Sequence, residues 1–313
     1  MATTTKPISV DTFDAFSRSP DSLWRQLLRA FVRQRSAMIG IAIIVLLFCI
    51  AIFAPLIAPY NPEQVLIGVE RVQKRSAPCI HLLGCPADRP QHIMGIDGNF
   101  RDEWSRVIFG ARVSLYIGFV TVGFAIVVGI LLGAIAGYTG GRLDDLIMRT
   151  LDILLAFPAL LLAIAIVSVL GPGLINAMLA IAIVSIPAYA RVMRASVLSA
   201  KHEEYVVAAR VVGSNPVRIL FRHVMPNAIS PLIVQGTLGI GTAILETAAL
   251  SFLGLGAQPP TPEWGSMLSA ERNQVFSAPY LVFFPGLAIM INVLGFNLLG
   301  DGLRDALDPR LRK

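Results

Sequence analysis

Residues 203–227 read EEYVVAARVVGSNPVRILFRHVMPN. The stretch carries Glu, Arg and His, is broken in the middle by Gly-Ser-Asn-Pro, and lies between long apolar runs. A polar segment of two amphipathic pieces is out of place in a chain otherwise built for hydrocarbon, and reads equally as a loop on which a soluble partner docks or as a structural loop lying on the bilayer. Whether that holds depends on the runs around it.

Of the 313 residues, 55% are hydrophobic and only 15% charged, well below the roughly 25% charge with which a soluble domain wets its surface. Uncharged runs at 36–62, 113–141, 153–190, 224–245 and 273–300 each reach the ~20 residues that cross a bilayer core. The run at 153–190 would be about 57 Å long as one helix, so it must fold back, and Gly171-Pro172-Gly173 supplies the turn. The expectation is an all-α polytopic bundle of six spans near 37–59, 113–136, 146–170, 174–191, 229–254 and 279–300. Small residues from Gly129 to Gly141 let backbones approach, while Pro158, Pro187, Pro231 and Pro285 predict kinks.

Most of the 26 Lys and Arg residues fall on one side when both termini are placed in the cytoplasm, as the positive-inside rule favours. The net charge of +6 then reflects sidedness and anionic headgroups, and a nucleic-acid site is a poor reading of basic residues scattered along membrane edges. The resulting organisation is a cytoplasmic segment 1–36, a first span 37–59, an external loop 60–112, a core 113–302 with its largest cytoplasmic loop at 192–228, and a cytoplasmic tail 303–313. Residues 1–18 read as disordered, and Trp24, Leu27, Leu28 and Phe31 form the apolar stripe of an interfacial helix whose other face carries Arg25, Arg29 and Arg33. The first apolar run reads as a retained anchor.

The external loop holds Cys79 and Cys85. A disulfide is the favoured reading on an oxidising face; free thiols, or a metal held with His81 and His92, remain alternatives, the latter against the usual zinc spacing. Cys49, inside a span, reads as a packing residue.

Catalytic chemistry is missing. No G-x-x-x-x-G-K-[ST] phosphate loop occurs, and His81, His92, His202 and His223 all fall outside the apolar core. Two carboxylates lie within predicted spans: Asp152, one turn from Arg149 and expected to pair with it, and Glu246, with no local basic partner. Because buried charge is costly in a membrane both are candidates for a solute path, with a structural ion pair the alternative for Asp152 and a hydrogen-bonded structural role the alternative for Glu246.

Within the quoted segment, Tyr205, Ala208, Ala209 and Val212 form one helical stripe, and Val217, Leu220, Phe221 and Val224 a second. Gly213 is placed to end the first helix in a left-handed cap, Ser214-Asn215 to cap the second ahead of Pro216, and Pro226 to close it.

This pattern resembles the EAA loop of ABC-importer permeases, Glu-Ala-Ala, three residues, Gly, nine residues, Ile-x-Leu-Pro. Ala208, Ala209, Gly213 and Pro226 match; Val207 replaces the Glu, and His223 and Met225 the Ile and Leu. GIDGNFRDEWSRVIFGARVSL (95–115), DILLAFPALLLA (152–163), RHVMPN (222–227) and LSFLGLGAQPPTPEWGSML (250–268) are similar to the C-type permease subunits of dipeptide, oligopeptide and nickel importers, with Ile96 and Phe100 standing for that pattern's Thr and Gly. The resemblance implies a type I importer fold in a bacterial inner membrane and half of a pore paired with a homologous second permease. Two cytoplasmic ATPases, which consume ATP and Mg, would dock on the loop at Glu204, Ala208, Ala209, Gly213, Pro216 and Pro226, and an external solute-binding protein would deliver the solute. It implies no cofactor or metal in this chain, with peptide as the leading solute and nickel or oligosaccharides as alternatives. From the residues alone, an ion-coupled transporter using Asp152 and Glu246 is a rival, as is a membrane scaffold.

Overall fold

The computed structural model describes Phe31 and residues 34–307; the readings for 1–18, for the interfacial helix before the first span and for the last residues of the tail lie outside them. Regular structure among the described residues is helical: α1 (Arg35–Ile57), α2 (Glu103–Thr139), α3 (Gly141–Leu155), α4 (Ala159–Leu170), α5 (Leu174–Ala200), α6 (Glu204–Val211), α7 (Pro216–Ile219), α8 (Met225–Ala228), α9 (Ser230–Phe252), α10 (Trp264–Glu271) and α11 (Tyr280–Leu307). Five of these, α1, α2, α5, α9 and α11, are long and apolar enough to cross a membrane.

The third expected span is a bent pair of helices. Residues 146–170 do not form one helix: α3 and α4 meet at 90° across Ala156-Phe157-Pro158. Proline cannot donate an amide hydrogen and drives its predecessor out of the helical region, so the chain turns at Pro158 and restarts. Helix α4, with 12 residues, is about 18 Å long, short of the ~30 Å hydrocarbon core.

The largest helix contact is α2 against α5, and its chemistry is that of small residues. Gly129, Gly133 and Gly137 fall at four-residue steps on one face of α2 and lie against Tyr189, Ala190 and Arg194 of α5, with the Ala190 carbonyl seated on Gly133 where a side chain would stand. Without lipid to squeeze out, membrane helices gain adhesion from such close backbone approach. Helix α11 packs on α1 and α9 in a second seam. Trp264 of α10, 1% exposed, hydrogen-bonds the Val107 carbonyl at 3.0 Å and so ties the loop after α9 to the start of α2.

The bundle thereby has two distinct ends. At one, the 58–102 segment, the turn at 171–173 and residues 253–279 gather, joined by contacts such as the Gly173 amide to the Leu255 carbonyl at 3.0 Å. At the other lie the α2–α3 turn and residues 201–229, where Lys201 Nζ donates to the Gly137 carbonyl at 3.0 Å.

Candidate functional site

The quoted segment forms an angled helix pair. Helix α6 stops at Gly213, whose φ is +84°; the Gly213 amide donates to the Arg210 carbonyl at 3.0 Å and the Ser214 amide to that of Ala209 at 3.1 Å, the two bonds of a Schellman cap. Asn215 then caps α7 by accepting from the Val217 amide at 2.9 Å, with Pro216 in the first turn. Asn227 Nδ2 donates to the Tyr205 hydroxyl at 2.9 Å and closes the pair into a hairpin.

Two details differ from the sequence reading. Pro226 does not close the second helix: it lies in the first turn of α8, reached through a π turn at Leu220–Val224 in which the Met225 amide bonds the Leu220 carbonyl. Because Pro226 cannot bond the Arg222 carbonyl and would crowd it, a wider turn is a local solution. The packed face also differs. Val206, Ile219, Leu220, Val224 and Ala228 are buried in the main core, whereas Tyr205, Ala208, Val212, Val217 and Phe221 of the expected stripes are exposed. Alternation in an eight-residue helix supports two apolar stripes, and tertiary packing takes the one through Val206.

What faces out is therefore apolar: Val207, Val211, Val212, Val217 and Phe221 are 46%, 82%, 85%, 63% and 54% exposed. Arg210, Arg218 and Arg222 stand around them, and Glu204 is exposed in the first turn of α6. Such a face offers a rigid apolar ridge with a basic rim, anchored below by residues that belong to the bundle.

Asp152 pairs with Arg191 of α5 at 2.5 Å, not with Arg149. Helix α3 lies beside α5, and Asp144 makes a bidentate pair with Arg194 there, both contacts 2.6 Å, so the carboxylates of α3 are met from the neighbouring helix. Glu246 is half-buried on α9 and has no hydrogen-bond or ion-pair partner among the described residues. Gln235, Gly239, Thr242 and Glu246 recur along the less buried side of α9, and the Tyr189 hydroxyl of α5 lies over Gly239.

At the opposite end, Cys79 and Cys85 are joined, with Cα atoms 5.4 Å apart, and no group of three or more metal-ligating side chains occurs among the described residues. Cys49 is exposed on α1, contrary to the packing role expected of it. The 95–106 motif forms a knot that sequence reasoning flagged only by resemblance. Asp97 accepts from the Asn99 and Arg101 amides and from Arg101 Nε, all at 2.8 Å. Asp102 caps α2 through Ser105 and bonds His92 Nδ1 at 2.8 Å. Glu271 accepts from the Gly98 amide and from Arg75 Nε, both at 2.7 Å. Phe100 sits at φ +60°, a left-handed position that explains why the related pattern has glycine there. Burial pushes the Glu263 carboxyl above its ordinary range, against the Gly265 and Ser266 amides that favour its charge. Burial, with a hydrogen bond to Glu70, likewise raises the Tyr60 phenol.

Comparison with known proteins places this architecture. The model for the binding-protein-dependent transport system inner membrane component matches residues 129–313, and that for the N-terminal TM domain of oligopeptide transport permease C matches 22–78. The dipeptide transport system permease protein DppC of Alkalihalophilus pseudofirmus is 49% identical, over 93% of this chain and 91% of its own. The di/tripeptide permease DppC of Pseudomonas aeruginosa is 46% identical over 92% of each, and the glutathione permease GsiD of Escherichia coli is 46% identical over 92% and 91%. A chain of the inward-facing MetNI methionine ABC transporter matches in fold, with TM-score 0.54 and 19% identity over 65% of this chain and 97% of that one. The chain belongs to the family of binding-protein-dependent transport system inner membrane components.

Proposed function

We propose that this chain is one half of the pore of an ATP-driven peptide importer in a bacterial inner membrane, with both termini and residues 192–228 in the cytoplasm. The observation that carries the reading is the 203–227 hairpin, whose buried side belongs to the bundle core while its outward side is an uncovered apolar ridge. A homologous second permease completes the pore. Two cytoplasmic ATPases grip the ridges, and their closure on ATP favours one pore state over the other, a shift set by differential binding. An external solute-binding protein delivers the solute. Di- or tripeptide is the solute class that the relatives' names support, ahead of nickel or oligosaccharide.

Glu246 has the position of a path-lining residue: an intramembrane carboxylate, half-open, on the polar side of α9. Asp152, matched by Arg191, has a structural role instead. An ion-coupled mechanism would need no ATPase. Co-purification of this chain with its second permease and an ATPase, followed by dipeptide uptake into vesicles that requires both ATP and binding protein, tests the proposal. Uptake driven by an ion gradient without ATP would overturn it.

A further inference from the structure

The outer knot encloses a carboxyl that nothing pairs with. Glu103 opens α2 and is 2% exposed, and its Oε1 is buried without a hydrogen-bond partner among the described residues. It borders a cavity of about 50 Å³ together with Asp97, Arg101, Arg106, Thr261 and Glu271. The cations around it are committed elsewhere. Arg101 Nε holds Asp97 at 2.8 Å, and Arg75 Nε holds Glu271 at 2.7 Å. Arg106 Nη1 donates to the Pro62 and Pro260 carbonyls at 2.9 and 3.2 Å, and its Nε faces Asp97 at 3.7 Å. His92 is taken by Asp102 at 2.8 Å and by Glu70 at 3.4 Å. Tyr280, at the start of α11, donates its hydroxyl proton to the Arg75 carbonyl at 2.7 Å.

We propose that Glu103 is a proton site: it is packed in the knot as the neutral acid, and the segments that the knot joins cannot separate without its giving up that proton to water. An ionised carboxylate stripped of water and of donors, with the Asp97 and Glu271 carboxylates on the same cavity, is the costlier state, so a carboxyl placed there takes up a proton instead. Three segments meet around it. Gly98 and Arg75, before α2, are bonded to Glu271 of α10, and Arg106 of α2 is bonded to the loops at Pro62 and Pro260. Parting them brings water to Glu103, which then ionises. The packed form thus binds one proton more than the open form; it is favoured in acid and loses ground as pH rises above the ordinary carboxylate range. With this end outside, as proposed above, acidity of the external medium holds the three segments together. The proton site itself does not depend on that orientation.

The test uses the assembly that purifies with the full-length chain, held in lipid discs. Melting of this chain is followed from about pH 5 to about pH 9 for the parent, for Glu103→Gln, which has the shape of the neutral acid, and for Glu103→Met, which keeps its length without polarity. Relative to both variants, the parent loses about tenfold in its folded-to-unfolded ratio for each pH unit above the carboxylate range, a gap that widens by roughly 3 °C per unit. At the acid end the parent and Glu103→Gln melt together. At about pH 7 the infrared difference between those two shows the carbonyl stretch of a protonated carboxyl. Parallel pH curves overturn the proposal, and so does a difference spectrum that carries ionised-carboxylate bands instead. Failure of both variants to assemble, or a lower melting point of Glu103→Gln at every pH, also overturns it, since either would mark Glu103 as the ionised member of a pairing. Stabilisation of the parent alone by sodium or potassium over choline, at equal ionic strength, overturns the proton in favour of a bound cation.

Discussion

Replacing Gly213 isolates the angle of the 203–227 hairpin. Its φ is +84° and a Cβ there would meet nothing within 4 Å, so crowding is not part of the cost. What remains is the left-handed penalty, about 1–2 kcal/mol for a residue with a Cβ, equivalent to roughly a 5- to 30-fold change in the population of the angled form. Relaxing the strain would sacrifice the two cap bonds from Gly213 and Ser214 to Arg210 and Ala209, while Val206 and Ile219, 0% and 1% exposed, hold the two arms on the bundle. The expected order of function is therefore Gly, then Asn, which tolerates this conformation, then Ala, then Val, with assembly of the permease pair intact throughout. The measurement is ATPase retained per purified permease pair and dipeptide uptake in the same vesicles. Full retention and full uptake in Gly213→Val would refute a role of the hairpin's angle in coupling. Asn as damaging as Val would mean that a partner contact, not the dihedral, sets the requirement.

Gly133→Val places a branched side chain into the Ala190 carbonyl and should cost at least the ~1–3 kcal/mol of overpacking, read as a lower melting temperature in detergent; Gly123→Val, where the space is open, should melt as the parent does. Phe100→Gly relieves a left-handed phenylalanine and should raise stability by about 1 kcal/mol; an unchanged or lower melting point would show that the ring's packing outweighs the strain. Non-reducing peptide mapping should recover Cys79 cross-linked to Cys85, and two free thiols would contradict that. Glu246→Gln should leave expression and assembly normal and reduce uptake; unchanged uptake assigns it a structural role.

Much of this fold is legible in the pattern of charge. Five uncharged runs mark the long helices because lipid excludes ionised groups, and the Gly213 cap and Asn215-Pro216 start are local chemistry that the loop obeys without help from its neighbours. Other features are decided between segments and leave no mark in one. Read as one span, 146–170 joins an amphipathic arm carrying Arg149 and Asp152 to an apolar one; Pro158 marks a kink in the sequence, but the 90° turn between the arms is set by the backbone there. Arg149 is the near partner of Asp152 along the helix, yet Arg191 wins from across α5. The outer knot joins Gly98 and Arg75 to Glu271 across more than 170 residues, a separation at which no periodicity survives.

The choice of stripe in the hairpin has a mechanical consequence. Had the face through Tyr205 and Ala208 packed inward, the hairpin would have turned a different surface outward; instead Val206, Ile219, Leu220 and Val224 belong to the same core as α5 and α9, the helices from which the loop departs and to which it returns. Packed interfaces shift between discrete arrangements more readily than they deform, so a push on Val211, Val212 and Phe221 is borne by both helices together. Helix α5 carries that displacement to α2 through Gly129, Gly133 and Gly137, and to α9 where Tyr189 overlies Gly239, two turns before Glu246. Under the proposed function, the seam most sensitive to ATPase closure is thus the one that runs past the unpaired carboxylate, and variants at Tyr189 should alter the ratio of ATP hydrolysed to peptide imported more than they alter either ATPase docking or peptide delivery.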